Sequence, residues 1–159
     1  MTEEIDRLAD TARERGLRIA VAESLTCGKL ASTVGAGTDA ENWFAGGVVA
    51  YQMEVKEDVL GVQPGIDPCS SACAEQLARG VKRLLGVDVA VSTTGVGGPD
   101  PQDGHPPGTV FLGWATSDGE GHRQLALDGS PEEVLAQTVD ASIALLDELV
   151  GAESPRAVA

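Results

Sequence analysis

The 159-residue sequence contains few aromatic residues, few cysteines and few histidines. Aromatic residues make up 3% of the chain, so a packed core has to be built mainly from Val, Leu and Ala. Three cysteines are an odd, low number for this length, which fits a reducing compartment and argues against a disulfide framework. Because only two histidines accompany them, the ligand spacing of a zinc site is missing, and we expect no metal.

The sequence also lacks long apolar segments. No stretch reaches the roughly 18 consecutive apolar residues that mark a membrane-spanning helix. Residues 1–15 are charged throughout and lack the apolar centre of a signal peptide. We therefore expect a cytoplasmic protein with no membrane partner.

Positive charge is scarce. The chain has 25 acidic and 11 basic residues, which gives a formal net charge of −14, and its only lysines are Lys29, Lys56 and Lys82. Such a surface repels nucleic acids and anionic membranes, so neither is expected as a partner. An acidic, lysine-poor composition is typical of a protein from a high-salt cytoplasm, and an ordinary acidic cytosolic protein is the alternative.

The length and the 42% apolar content suit one packed domain. Apolar periodicity and turn residues predict helices over 5–15, 24–34, 53–60, 70–86 and 131–149, and strands over 17–22, 45–51, 88–94, 109–116 and 122–127. Ser130, Pro131 and Glu133 form a capping-box pattern for the last helix. We predict a single three-layer α/β/α domain over 1–150, with a mixed, mostly parallel sheet of about five to six strands, and a flexible tail over 151–159.

Ser24 is the candidate nucleophile. It follows an apolar strand and is predicted to enter a helix, where free backbone N–H groups favour negative charge and can stabilise an oxyanion. The alternative is that Ser24 only caps the helix. The nearby Cys27 thiol also has two interpretations, a reactive group near a helix N-terminus or a small buried side chain.

A serine nucleophile needs a base, and neither histidine has triad-like neighbours. Lysine can act as the base when burial lowers its pKa. Lys56 is the candidate because it follows a predicted strand closely, and Tyr51 at the end of that strand is positioned to relay or orient a proton. The alternatives are a solvated helix lysine and a core aromatic residue.

The glycine-rich segment 93–99 follows another strand, so its backbone amides are candidates to wrap a phosphate. It matches neither the P-loop nor the Rossmann pattern. A flexible loop is therefore the alternative.

The order and spacing of these segments resemble the C-terminal domain of CinA, the competence/damage-inducible protein family. The matching segments are Ala22-Glu23-Ser24 with Thr26 and Gly28, the run from Phe44 to Tyr51, Lys56, Leu60-Gly61-Val62, Thr94-Gly95 with Gly98-Pro99, and Pro107-Gly108-Thr109-Val110. The resemblance covers residues 5–149.

The resemblance implies an amidohydrolase that deamidates nicotinamide mononucleotide. Ser24, Lys56 and Tyr51 take the places of the family's catalytic serine, lysine and tyrosine. Substrate-binding positions map to Thr26, Gly28, Gly46, Gly47, Thr94, Gly95 and Gly98. The family needs no metal or organic cofactor, and its members are cytoplasmic homo-oligomers acting on a small molecule.

Two departures from the family pattern are visible. Cys27 stands where a glycine is usual, and residues 128–135 lack two arginines that the family carries around the start of its last helix. Arginine is a preferred phosphate partner, so the departure bears on phosphate binding more than on the serine–lysine chemistry. Arg79 and Arg123 are candidate replacements.

Three functions follow from these observations. The first is a deamidase that converts the carboxamide of a pyridine nucleotide to the acid and releases ammonia. The second is a diverged, weakly active or inactive CinA-like binding or regulatory module. The third is a serine–lysine hydrolase of another amide.

The charge imbalance predicts that salt stabilises the fold. Screening of the repulsion among acidic side chains should raise the thermal midpoint from low to molar potassium chloride. Thermal unfolding followed by circular dichroism at both salt concentrations measures this. Equal midpoints would remove the high-salt interpretation.

Overall fold

The structure is a computed structural model that describes residues 2–156. In chain order its elements are α1 (Thr2–Arg15), β1 (Ile19–Glu23), α2 (Lys29–Gly35), a short 3-10 helix (Ala40–Asn42), β2 (Phe44–Val49), α3 (Met53–Leu60), α4 (Ser71–Leu85), β3 (Val89–Gly95), β4 (Thr109–Thr116), β5 (Gly119–Ala126) and α5 (Pro131–Ala152).

The strands form one five-stranded sheet in the order β2-β1-β3-β4-β5. Strand β1 is parallel to both β2 and β3, whereas β4 pairs antiparallel with β3 and with β5. Four strands therefore point the same way and β4 runs against them. The predicted mixed sheet in a single α/β domain is confirmed.

Helices cover both faces of this sheet, and the alternation of side chains in the central strands explains why. The large side chains of Ile19 and Val21 in β1 pack into the main core with α1, α2 and α5. The small side chains of Ala20 and Ala22 face the opposite core, which α3 and α4 cover. The large side chains of β1 thus face one helical layer, and its small side chains face the other.

Helix α3 is held against α4 by a close backbone approach. A Cβ atom at Gly80 of α4 would lie 2.0 Å from the carbonyl oxygen of Leu60, at the end of α3. Only glycine therefore allows this packing distance. Because α3 carries Lys56, the contact also fixes the position of the candidate base.

Most predicted bounds shift by one to three residues, and two predicted elements differ more from the structure. The predicted helix over 24–34 begins only at Lys29, because residues 24–28 form a turn. The strand predicted over 45–51 runs from Phe44 to Val49 and is not fully buried, since β2 is an edge strand in which half-buried and exposed residues alternate.

The C-terminal segment packs further than predicted. Gly151 and Ala152 complete α5, the side chain of Glu153 is buried, and the Arg156 N–H donates to the Arg15 carbonyl oxygen. Residues 157–159 of the predicted tail lie outside the described residues. Within 2–156, every helix is too short or too polar to cross a membrane.

The contact at Gly80 predicts an unusual response to substitution. Gly80→Ala should destabilise the fold by about 1–3 kcal/mol, because the new methyl group overlaps the Leu60 backbone and outweighs the gain in helix propensity. Gly151→Ala is the matched control, since a Cβ there has no neighbour within 4 Å, and it should stabilise by up to about 1 kcal/mol. Urea unfolding measures both free energies. Equal stabilisation by the two substitutions would contradict the contact.

Candidate functional site

The carboxyl ends of the three neighbouring parallel strands open onto one cavity of about 440 Å³. Ser24 follows β1, Tyr51 follows β2, and Thr94 and Gly95 end β3; all four line the cavity. Ligands of open α/β sheets bind at this kind of edge, where connections leave a central strand in opposite directions. The topology therefore brings the predicted residues together.

Ser24 lies in a turn whose shape is set by the buried carboxylate of Glu23. Oε1 of Glu23 accepts hydrogen bonds from the Thr26 hydroxyl at 2.6 Å and from the Leu30 N–H at 2.8 Å, and Oε2 accepts one from the Ala31 N–H at 3.0 Å. Glu23 therefore binds the first turn of α2 itself. The N-terminus of this helix, which was expected to face the substrate, is occupied by a side chain of the protein.

The turn keeps Ser24 outside the helix. Cys27 and Gly28 have φ angles of 46° and 97°, a left-handed conformation that interrupts the helix and that glycine adopts without strain. Gly28 is the N-cap of α2. Ser24 is therefore not the helix cap, and that alternative is wrong.

The turn after Ser24 uses some of its backbone N–H groups in hydrogen bonds and leaves others without a partner. The Ser24 N–H donates to the Thr93 carbonyl oxygen at 3.0 Å, and the Cys27 N–H donates to the Ser24 carbonyl oxygen at 3.2 Å. Within the described residues, the N–H groups of Leu25 and Thr26 make no hydrogen bond, and of these two residues Leu25 lines the cavity. The Leu25 N–H is therefore the candidate donor to an oxyanion.

Lys56 is buried although it carries an amine. Its side chain is 2% exposed, and Nζ donates to the carbonyl oxygen of Tyr51 at 3.0 Å. Burial lowers the pKa of the amine, and the nearby Cys73 thiol opposes this shift. Burial also raises the pKa of Cys73 to about 11, so this thiol stays neutral near pH 7. The alternative of a solvated lysine is wrong.

Tyr51 contributes both its backbone and its side chain to the site. Its carbonyl oxygen accepts the bond from Lys56, while its side chain is 64% exposed at the edge of the cavity. The residue is thus not the core aromatic of the alternative interpretation.

The other predicted substrate positions divide into two groups. Gly98 lines the cavity with Thr94 and Gly95, but the Thr94 hydroxyl already donates to the Pro68 carbonyl oxygen at 2.5 Å. The remaining four lie elsewhere: the buried Thr26 hydroxyl bonds to Glu23 and Thr93, Gly28 lines a second cavity with the exposed Cys27, and Gly46 and Gly47 lie in the edge strand β2.

The structure adds residues that sequence reasoning did not select. Asp100, Gln102 and Asp103 line the cavity from the loop after β3, and Pro131 and Leu135 line it from α5. The capping-box pattern indicated where α5 begins but not that its first turn borders the site. Residues 2–156 contain no group of three His, Cys, Asp or Glu side chains placed to hold a metal ion.

Hydrogen bonds hold the loop over 96–108 in place. His105 shares a hydrogen bond of 2.8 Å with the Asp67 carboxylate, and the backbones of Gln102 and His105 exchange two hydrogen bonds. The Val96 N–H donates to the Thr109 carbonyl oxygen. The loop that carries Asp100 and Asp103 is therefore fixed at both ends.

Comparison with known proteins identifies the family of this chain. The family model described as the CinA C-terminal domain matches residues 2–150. A Geobacillus kaustophilus protein described as competence-damage inducible is 39% identical over 158 residues, which are 96% of this chain and 37% of that protein. A Bacillus velezensis protein of the same description is 44% identical over 113 residues, which are 69% of this chain and 27% of that protein. The chain thus spans about a third of the length of these relatives.

Solved structures share the whole fold. A CinA superfamily protein from Klebsiella pneumoniae superposes with a TM-score of 0.89 at 32% identity, covering 95% of this chain and 98% of its own. A competence/damage inducible protein from Agrobacterium tumefaciens gives a TM-score of 0.88 at 26% identity, covering 93% and 94%. From the family model and these relatives, the chain belongs to the CinA C-terminal domain family.

Proposed function

We propose that this protein is an amidohydrolase in which Ser24 is the nucleophile and Lys56 the general base. One observation carries the proposal: a nearly buried serine and a buried lysine line the same cavity, at the edge where the parallel strands end. A lysine held in this way has a lowered pKa, as a base working near neutral pH requires.

The reaction begins when Ser24 Oγ attacks the amide carbon and Lys56 Nζ accepts the hydroxyl proton, directly or through one water. The Leu25 N–H donates to the oxyanion of the tetrahedral intermediate. Lys56 then returns the proton to the leaving nitrogen with the help of the Tyr51 hydroxyl, and ammonia departs. Water, deprotonated by the same amine, cleaves the Ser24 ester, so that one amide and one water give one acid and one ammonia.

The substrate we propose is the carboxamide of a pyridine nucleotide, which the family resemblance implies. Nicotinamide mononucleotide would give nicotinic acid mononucleotide and ammonia. Every group that the reaction requires belongs to the chain, so the proposal needs no cofactor. The homo-oligomer that the same resemblance implies stays a prediction.

Removal of either reacting group should abolish turnover. Ser24→Ala and Lys56→Met should each lower ammonia release by about 10³-fold or more, and the double variant should be little worse, because the two groups act as one unit. Tyr51→Phe should cost less, on the order of 10²-fold, as expected for a group that assists proton transfer.

The matched controls come from the neighbouring helix. Ser32→Ala and Lys29→Met remove the same groups from exposed positions of α2 that border the second cavity, and they should leave turnover unchanged. Ammonia release is measured with a coupled assay, and circular dichroism verifies that each variant is folded. Full activity of Ser24→Ala would refute the assignment of the nucleophile.

The burial of Lys56 fixes the sign of the pH dependence. The amine accepts a proton only when it is neutral, so kcat/KM should rise with pH and level off once Lys56 has lost its proton. Because burial lowers this pKa, the midpoint should fall below about 10.4, the usual lysine value. A pH profile of kcat/KM provides the test. A decrease in rate over the same range would mean that the charged form is needed.

A further inference from the structure

We infer that two backbone N–H groups, those of Gly97 and Gly98, hold the phosphate of the nucleotide without a cationic side chain, so that added salt strengthens the binding of this phosphate. The inference rests on the proposed function and deepens it, since it locates the phosphate within the same cavity. It also names what takes the place of the two arginines that residues 128–135 lack.

The loop after β3 presents two N–H groups that have no partner. Gly97 and Gly98 line the cavity, and within residues 2–156 neither N–H makes a hydrogen bond. Gly98 has a φ angle of 90°, and successive N–H groups around a left-handed residue form concavities that bind anions. The flanking residues add no donor, because the Val96 N–H donates to a carbonyl oxygen and Pro99 has no N–H.

The space around the two glycines allows a ligand to reach their backbone. A Cβ atom at Gly97 would have no neighbour within 4 Å, so this residue borders open space. A Cβ atom at Gly98 would lie 3.0 Å from Cβ of Pro107, so Gly98 packs against the other end of the loop. The pair is therefore open on one side and supported on the other, as a backbone that contacts a ligand closely requires.

The other donors that line the cavity are already in use. Across residues 2–156, Lys56 is the only basic side chain of the wall, and its buried amine is bound to a backbone carbonyl oxygen and assigned to proton transfer. The Thr94 hydroxyl donates to the Pro68 carbonyl oxygen, and the Leu25 N–H is the candidate donor to the oxyanion. The phosphate is thus left to the backbone of the loop.

The candidate replacement arginines are engaged elsewhere. Nε of Arg79 donates to both carboxylate oxygens of Glu120, at 2.8 and 2.9 Å. Arg123 bonds to the Glu148 carboxylate and lies over the Trp114 ring. Across residues 2–156, no arginine lines the cavity.

The start of α5 does not replace them. Pro131, which lines the cavity at the first helical position, has no N–H, and Glu132 lines the second cavity. The Glu133 N–H donates to Ser130 Oγ at 3.2 Å. The two glutamates already supply the negative charge that this helix end favours.

The aspartates of the loop determine how phosphate binding responds to salt. Asp100 and Asp103 are exposed and line the cavity, with the neutral Gln102 between them in the sequence, and the whole chain has a net charge of −14. These carboxylates repel a phosphate, which carries about −1.5 to −2 charge at pH 7. Salt shortens the Debye length from about 10 Å at 0.1 M to about 3 Å at 1 M, so it weakens this repulsion. A phosphate held by arginine would bind less tightly in salt, because the screened interaction would be an attraction.

Two substrates that differ only in the phosphate test this response. Ammonia release is measured with nicotinamide mononucleotide and nicotinamide riboside at about 0.1 M and about 1 M potassium chloride, with circular dichroism to verify the fold. Both compounds carry the cationic pyridine ring, so the ratio of mononucleotide KM to riboside KM isolates the phosphate. We expect this ratio to fall by about threefold or more at high salt. A ratio that stays constant or rises would overturn the inference.

A pair of substitutions at one position tests the donor. Gly97→Pro removes the N–H and should lower the ratio of mononucleotide to riboside kcat/KM by about tenfold. Gly97→Ala keeps the N–H and adds a methyl group in open space, so it should keep the original ratio whatever its effect on either rate. Turnover of the riboside verifies that Gly97→Pro is folded, and if it is not, the salt comparison decides. Equal ratios in two folded variants would contradict the inference.

Binding separates failure of this inference from failure of the proposed function. Both compounds are titrated by calorimetry into the Ser24→Ala chain at the two salt concentrations. If neither compound releases ammonia from the unaltered chain, the proposed reaction is wrong, yet a mononucleotide affinity that rises with salt relative to that of the riboside would still support the phosphate site. A relative affinity that stays constant or falls, or no binding of the mononucleotide, would refute it.

Discussion

The buried carboxylate of Glu23 is the constraint on which the site depends. Its hydrogen bonds to the Thr26 hydroxyl and to the N–H groups of Leu30 and Ala31 satisfy the start of α2 and close the turn after β1. A buried charge is stable only when several donors surround it, and here the donors come from one short segment. The direction of the chain at Ser24, and hence its place at the cavity, follows from this set of bonds.

Lys56 differs from Glu23, because burial of its amine does not maximise the stability of the fold. An amine beside apolar neighbours favours its neutral form, and one backbone carbonyl oxygen is a weak substitute for water. The close packing of α3 on α4 at Gly80 keeps the side chain there nevertheless. Polar groups that a fold keeps buried, although they are more stable in water, are typical of reactive sites. For Lys56 the chemical result is a lowered pKa.

Local rules predicted much of the fold. Strand β4 and helix α3 have the predicted bounds, and the capping box of Ser130 and Glu133 forms as the spacing indicated. The start of α2 was missed because the deciding acceptor, Glu23, is a charged residue at the end of an apolar strand, and propensity rules do not assign it a capping role across seven residues. Strand β2 was predicted as buried because its apolar run does not reveal that it lies at the sheet edge.

The site was predictable only in part, for the same reason. Ser24, Tyr51 and Lys56 each lie at or just after the end of a predicted apolar strand, and the parallel strands bring them together with Thr94 and Gly95. Asp100 and Asp103 belong to a long loop whose path depends on the bond between His105 and Asp67, some 38 residues apart. Leu135 reaches the cavity through the packing of a whole helix. Contacts of this range leave no local pattern in a sequence.

The hydrogen bonds that order the loop over 96–108 affect the free energy of ligand binding. Fixing the backbone of one residue costs about 1–2 kcal/mol of conformational entropy. Here the bonds from His105, Gln102 and Val96 mean that this ordering takes place when the protein folds. A ligand therefore binds to a loop that is already ordered. The free energy of its contacts contributes to affinity and is not used to order the loop.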